Sequence, residues 1–239
     1  MSSEQLTEKL IDFKCPYCDS PLSFLETRLG TAQECPYCSE IVVVPSADSE
    51  TGGKLPIPIT TSRLIIRPLK TEDMQDWLEF VKDENSYKYL NCDPPDDEQA
   101  MSWLENGKVL RLPHSNRTLS LGIELQKEAK IIGDLSLLLN DPEEHRQGVF
   151  SIRIHPAFRG QGYGTEALRG LIDFGFNAIA LHDIRVSIDF RDLAGRRMVE
   201  KAGMKLEGEF VEERRFKGEW ISTAYYVILT KRLQQTTTS

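Results

Sequence analysis

The order of strand and helix signals along this chain predicts an α+β protein. A small cysteine-clasped module precedes it. Three observations carry the prediction. From Arg63 onward the patterns run β-αα-βββ-α-β-α-ββ. A glycine-rich passage, Arg159-Gly160-Gln161-Gly162-Tyr163-Gly164-Thr165-Glu166-Ala167, stands between a strand and a helix. The tetrapeptide Cys15-Pro16-Tyr17-Cys18 recurs as Cys35-Pro36-Tyr37-Cys38.

Each element has its own signal. Arg63-Leu64-Ile65-Ile66-Arg67-Pro68-Leu69 is a strand ended by its proline. Thr71-Glu72-Asp73-Met74 opens a helix in the manner of an N-cap, with apolar Trp77, Leu78, Phe80 and Val81 following. A second helix covers Asp97–Asn106. Strands at Leu119–Leu125 and Ile131–Leu139 flank the polar turn Gln126-Lys127-Glu128-Ala129-Lys130. The strand Val149–Ile154 then leads through His155-Pro156 into the glycines. Ala167, Leu168, Leu171, Ile172 and Phe174 give the helix beyond them a helical period. Ile184–Ile188 is the next strand, and a helix from Leu193 to Ala202 stops at Gly203. Strands Phe210–Phe216 and Trp220–Leu229 close a hairpin around Lys217-Gly218.

Glycines at alternate positions let a backbone turn its N–H groups inward, and a helix N-terminus carries partial positive charge, so the loop is an anion cradle suited to a pyrophosphate. No Gly-Lys-Ser/Thr follows the glycines, which argues against a Walker-type loop, and no βαβ series with an acidic ribose partner surrounds them, which disfavours a dinucleotide site.

The spacing C-x2-C, sixteen residues, C-x2-C suits one tetrahedral ion, because each knuckle presents two sulfurs to the same point. Cys15, Cys18, Cys35 and Cys38 are therefore expected to hold a structural zinc as a ribbon. A redox pair or two disulfides are the competing readings. Some forty residues bury too little apolar surface to fold alone, so the ion would supply the core, with Phe13, Leu22, Phe24 and Ile41–Val44 as strands around it. The expected division is a zinc ribbon over 1–45, a linker over 46–60, the main domain over 61–232 and a disordered tail over 233–239. Cys92 carries no expected role.

Composition narrows the partners. The 239 residues carry a net charge of −8, and residues 1–59 hold four basic against nine acidic side chains. Nucleic-acid binding rests on neutralising phosphates with Lys and Arg, so it is disfavoured for the chain and for the ribbon. Protein contact or plain support is the better expectation for that module. An acidic chain is compatible with amine acceptors. No run reaches the ~20 apolar residues of a membrane span and no secretory pattern opens the chain, so a cytoplasmic location is expected.

Arg159-x-x-Gly162-x-Gly164 resembles the acyl-CoA pyrophosphate loop of the GNAT N-acetyltransferase superfamily, and the element order over about residues 60–232 resembles the GNAT fold, which implies a mixed, mostly antiparallel central sheet flanked by helices. Arg63-Leu64-x-x-Arg67-Pro68, Gly164-Thr165-Glu166-Ala167 and Arg197-Met198-Val199-Glu200-Lys201-Ala202-Gly203-Met204 are similar to the Rim-type branch, which acetylates protein N-terminal amines, and to its polyamine- and antibiotic-modifying relatives. The resemblance implies acetyl-CoA as cosubstrate and direct attack by a neutral amine of a protein N-terminus or small molecule. Gly160, Gln161, Gly162, Tyr163, Gly164 and Thr165 would hold the pyrophosphate with Arg159 adding charge, and the strand backbone at Ile152 and Ile154 would meet the pantetheine.

The proton carriers fit the family pattern less well. Where members often have N-x-x-S after the fifth strand, this chain has Asp192 and Gly195, leaving Asp192 as the pantetheine contact and no hydroxyl at Gly195. Val149 takes the place of a frequent Glu on the fourth strand. Some Rim-type enzymes use a Glu on the penultimate strand, where Arg214 stands beside Glu212 and Glu213; Glu213 is the candidate base. Tyr226, near the family's late tyrosine, is the candidate donor to the leaving thiolate, or else a packed strand aromatic. His145 and His155 suit surface or turn positions. These departures keep a second reading open, a catalytically weakened acyl-CoA sensor whose ribbon recruits a protein partner.

Overall fold

The computed structural model describes residues 9–38, 40–45, 52–90, 92–105, 118–140 and 146–230. The 233–239 tail, His145, Asn106 and linker residues 46–51 lie outside them.

The N-terminal module is built from β1 (Leu10–Lys14) paired antiparallel with β2 (Pro21–Leu25), and β3 (Ala32–Glu34) paired with β4 (Ile41–Val43). Ile11, Phe13, Leu22, Val42 and Val44 bury around Cys15 and Cys35 in a core of a few side chains. Part of the expected linker is structured. Gly53–Lys54 forms β5 on the edge of β4, and Ile59–Thr60 forms β6 in the main sheet. A side chain at Gly52 would enter the Phe13 ring, so close packing explains that glycine where flexibility was expected.

In the main domain, β7 (Leu64–Arg67) leads to α1 (Met74–Val81) and α2 (Asp97–Glu105). Strands β8 (Thr118–Leu125), β9 (Lys130–Asn140) and β10 (Gln147–Ile154) follow. Then come α3 (Tyr163–Asn177), β11 (Asp183–Asp189), α4 (Leu193–Lys201), β12 (Lys205–Phe216) and β13 (Glu219–Leu229). The eight-stranded sheet has the order β12-β13-β11-β10-β9-β8-β7-β6, and β10 with β11 is its parallel pair. The expected mixed, mostly antiparallel sheet is therefore observed.

Consecutive side chains on β9 assign the faces, because neighbours on a strand point to opposite sides. Ile131 packs with Trp77, Phe80 and Val81 of α1 and Ala100 of α2, whereas Ile132 packs with Leu168 and Leu171 of α3 and Val199 of α4. Helices α1 and α2 thus cover one face and α3 and α4 the other.

One local expectation is corrected. Thr71–Asp73 is a 3-10 turn and α1 begins at Met74. The Asp73 carboxylate accepts from Lys70 N at 2.7 Å and from Arg67 at 2.7 and 2.9 Å, so Asp73, with a cation behind it, fixes the helix entry in place of Thr71.

Two irregularities position the site. The β10–β11 pairing covers only Gln147–Val149 and Asp183–Arg185, after which the strands part. The edge of Phe150–Ile154 therefore faces an opening. The pairing of β12 with β13 breaks between Phe210 and Arg214, with Glu212 at φ 52°. This bulge resets which way Glu212, Glu213 and Arg214 point.

Candidate active site

The glycine loop stands where β10 leaves the sheet. Gly160 and Gly162 have φ of 76° and 85°, conformations that disfavour any residue with a Cβ. Gly164 has a different reason. It sits in the first turn of α3, where a Cβ would come 2.7 Å from Met198 Sδ on α4. The first bonded amide of α3 is that of Glu166, to Gly162 O at 3.0 Å. Earlier first-turn N–H groups have no carbonyl one turn back and point out of the helix end, as an anion cradle requires.

The expected cofactor-binding residues fall into groups. Gly160 to Thr165 form the turn and helix end. The side chains of Ile152 and Ile154 pack against the α3-face core, leaving their backbone at the opening. Arg159 folds back, its Nε donating to Ile154 O at 2.9 Å and Nη2 to Ser86 Oγ at 3.2 Å, so it fastens the loop to the end of β10. Asp192 caps α4, accepting from Gly195 N at 2.9 Å. A Cβ at Gly195 would lie 2.4 Å from Asp192 Oδ2, so this cap occupies the space a serine side chain would need.

The two expected catalytic side chains are on opposite faces. Tyr226 is 1% exposed beneath α4; its hydroxyl accepts from Arg196 Nε at 3.0 Å and donates to Glu200 Oε1 at 2.9 Å. Burial raises its hydroxyl above the usual phenol range. Glu213 lies on the α1/α2 face, where the hydroxyl of Tyr225 donates to it at 2.6 Å. That hydrogen bond holds the Glu213 carboxyl below its usual value. Tyr225 was not singled out from sequence. It pairs across with Ser187 of β11, beside the opening, so Ser187, Tyr225 and Glu213 form a polar row on one face. The signal was present in the Tyr225-Tyr226 dipeptide, since a strand sends one of two neighbours to each face.

A buried polar network on the same face also escaped the sequence reading. Asp134 and Arg153, 0% and 3% exposed, form a two-point ion pair at 2.9 and 2.5 Å. Trp77 Nε1 donates to Asp134 at 2.9 Å, and Arg153 also donates to the hydroxyl of Tyr87. The α1–α2 connection is thereby tied to β10 by Tyr87 and to the loop by Ser86. A cleft of about 1000 Å³ runs along the outer side of α3 from Pro56 to Lys201; it abuts Gly162, but no residue of the β10–β11 opening lines it.

In the N-terminal module the four predicted cysteines converge, their sulfurs all within 4.8 Å of one another. Cys15–Cys38 and Cys18–Cys35 sulfurs are 3.7 and 3.8 Å apart. A tetrahedron of ~2.3 Å zinc–sulfur bonds has edges of about 3.8 Å, whereas disulfides need ~2.05 Å. The donor set fits a tetrahedral thiophilic ion.

Comparison with known proteins agrees with the fold of the main domain. The Acetyltransferase (GNAT) domain family matches residues 63–205, and the chain belongs to that family. It is 27% identical over 171 residues to the uncharacterized N-acetyltransferase YnaD of Bacillus subtilis, covering 72% of this chain and 96% of that protein. It is 23% identical over 155 residues to spermidine N(1)-acetyltransferase of Escherichia coli, covering 65% and 80%. The structure of Mycobacterium smegmatis RimJ in complex with CoA-disulfide shares the fold with a TM-score of 0.61 at 21% identity, over 72% of this chain and 84% of that one. The protein is an N-acetyltransferase. No helix among the described residues is long and apolar enough to cross a membrane.

Proposed function

We propose that the protein transfers the acetyl group of acetyl-CoA to a primary amine of a protein N-terminus or a small molecule: the amine docks as its cation, gives up a proton to water, and its neutral nitrogen attacks the thioester carbonyl directly, breaking the C–S bond and releasing CoA as the thiolate. The observation that carries this is the opening between β10 and β11 at the foot of a helix-end cradle, with the polar row of Ser187, Tyr225 and Glu213, one carboxylate among them, beside it. The loop amides from Gly160 to Thr165 would take the pyrophosphate, and the freed backbone edge of Phe150–Ile154 would line the pantetheine arm. The thioester would then reach the sheet where the two faces communicate.

In this reading Glu213 and Tyr225 receive the amine. Because Tyr225 lowers the Glu213 carboxyl, Glu213 suits an ammonium counter-ion better than a strong base. Tyr226, engaged by Arg196 and Glu200, is assigned to anchoring α4. The curated relative named for spermidine supports a small polycationic acceptor, and the Rim-type sequence likeness supports a protein N-terminus. The four cysteines would hold zinc as a structural ion, with Cys15, Cys18, Cys35 and Cys38 as thiolate ligands. The module they close offers a surface for a protein partner. The division into a zinc module before about residue 55 and a catalytic domain after it belongs to the same proposal.

The test is CoA release from acetyl-CoA with a panel of N-terminal peptides, polyamines and aminoglycosides. Release with one cationic class supports the reading and names the acceptor. Full occupancy by acetyl-CoA with no release across the panel would favour the acyl-CoA sensor.

A further inference from the structure

Two sequence motifs, Arg63-Leu64-x-x-Arg67-Pro68 and Gly164-Thr165-Glu166-Ala167, lie a hundred residues apart, and the side chains of Arg63 and Glu166 within them have no role in the site described above. In the structure they are one contact. Glu166 Oε1 accepts from Thr61 Oγ1 at 2.6 Å, Ser62 Oγ at 2.9 Å and Arg63 N at 2.8 Å, and Oε2 accepts from Arg63 Nε at 2.6 Å. The same guanidinium donates from Nη1 to Gln161 O at 3.2 Å and lies 4.3 Å over the ring of Tyr163. Its Nη2 is 3.5 Å from the point where a Cβ on Gly162 would stand.

Arg63 therefore touches Gln161 and Tyr163 on either side of Gly162 in the pyrophosphate loop and is itself held by Glu166, one helical turn into α3. A planar fork makes these contacts at once; an ammonium could not. The Gln161 carbonyl is drawn outward by Arg63, and in a turn with Gly162 at φ 85° that orientation leaves the following amides facing the cradle. The segment carrying the clamp continues directly from β6, and Leu55 and Ile57 before it pack on the same core cluster that holds Ala32 and Ile41 of the N-terminal module.

We propose that Arg63 and Glu166 are positioning residues for acyl-CoA: they set the glycine loop in its anion-binding shape, and they join that loop to the chain segment arriving from the cysteine module. Neither touches the reacting atoms. The proposal rests on the reading that this loop binds the pyrophosphate.

The test uses the full chain with Arg63→Met, Arg63→Lys and Glu166→Gln, titrated with acetyl-CoA by calorimetry. Melting temperature and amide hydrogen exchange are recorded alongside. Folded variants should bind acetyl-CoA about tenfold more weakly, the cost of a cradle displaced by a fraction of an ångström. Exchange should accelerate at Gly160–Thr165 and remain unchanged in the rest of the sheet. With a turned-over acceptor, KM for acetyl-CoA should rise while kcat at saturation stays within twofold. Arg63→Lys covers the case in which Arg63→Met does not fold; it should bind as weakly as the other variants, and full affinity in it would overturn the positioning role. Affinity within twofold of wild type in any folded variant, or a fall in kcat with KM unchanged, would also overturn it. Absence of binding by the wild-type chain would instead sink the cosubstrate reading beneath it.

Discussion

Glu166 illustrates how one carboxylate reports on the architecture around it. Burial alone would raise its carboxyl, but the hydrogen bonds from Thr61, Arg63 and Ser62 outweigh burial and bring it from 4.5 down to about 2. A carboxyl depressed on folding contributes stability above its unfolded value and loses it as pH falls toward the folded one. Glu166 therefore stabilises the fold fully above about pH 4.5, and the contribution disappears between there and about pH 2. Glu166→Gln should flatten the acid limb of stability in that window, measured as melting temperature against pH; an unchanged limb would place the ion pair outside the folding balance. The same holds in direction for Asp73, where the hydrogen bonds of Arg67 outweigh burial, and for Asp189, where those of Arg191 do. On the acceptor face, Glu213→Gln should raise the acceptor KM by roughly tenfold, the loss of one charge-assisted hydrogen bond, with acetyl-CoA affinity unchanged. Tyr225→Phe should raise it less, because the carboxylate remains. Equal acceptor KM values in wild type and Glu213→Gln would remove this row from the site.

The helices are positioned by small residues as much as by large ones. Gly164 lets α3 approach α4 at Met198, so Gly164→Val should overpack the contact and cost about 1–3 kcal/mol, partly recovered by Met198→Ala in a double-mutant cycle. Strictly additive losses would show that the two helices do not share this contact. Gly164 also shows where sequence reading runs short. Three alternating glycines read as one backbone motif, yet two answer to positive φ and the third to the neighbouring helix, which only tertiary packing reveals. Elements with clear apolar periods and end signals, such as α4 and β9, were found nearly at their bounds. The 3-10 turn before α1 was missed because Thr71 and Asp73 are both good capping residues, and the choice was made by Arg67 from another strand. The same limit governed the catalytic face. A bulge within β12 carries no composition signal, and with it goes the register that decides which of Glu212, Glu213 and Arg214 faces the opening.

Across the whole molecule, the loop and the cysteine quartet were readable because each is a local spacing of chemically restricted residues, whereas the sheet opening, a parting of two strands, was not. What joins them was not readable either, because Arg63–Glu166, Arg153–Asp134 and Arg159–Ser86 are contacts between motifs distant in sequence, made by ordinary charged residues. The cysteine module has a core too small to stand without a cross-link, so it should carry about one zinc per chain by elemental analysis, lost in Cys35→Ser. Metal-free protein that keeps the module folded would contradict this. Because Ala32 and Ile41 share a buried cluster with the main sheet, the loss of zinc should also lower the melting temperature of the main domain.

The central claim is that the glycine loop holds acetyl-CoA, and Gly162→Glu tests it most directly. The substitution places a β-carbon at φ 85° and a negative charge in the cradle, while among the described residues beyond its own chain neighbours its Cβ would meet Arg63 Nη2 alone, at 3.5 Å. Calorimetric titration with acetyl-CoA should give a saturable binding curve for the wild-type chain and none for the variant. Binding of comparable affinity in a folded Gly162→Glu protein would contradict the account and place the cosubstrate elsewhere.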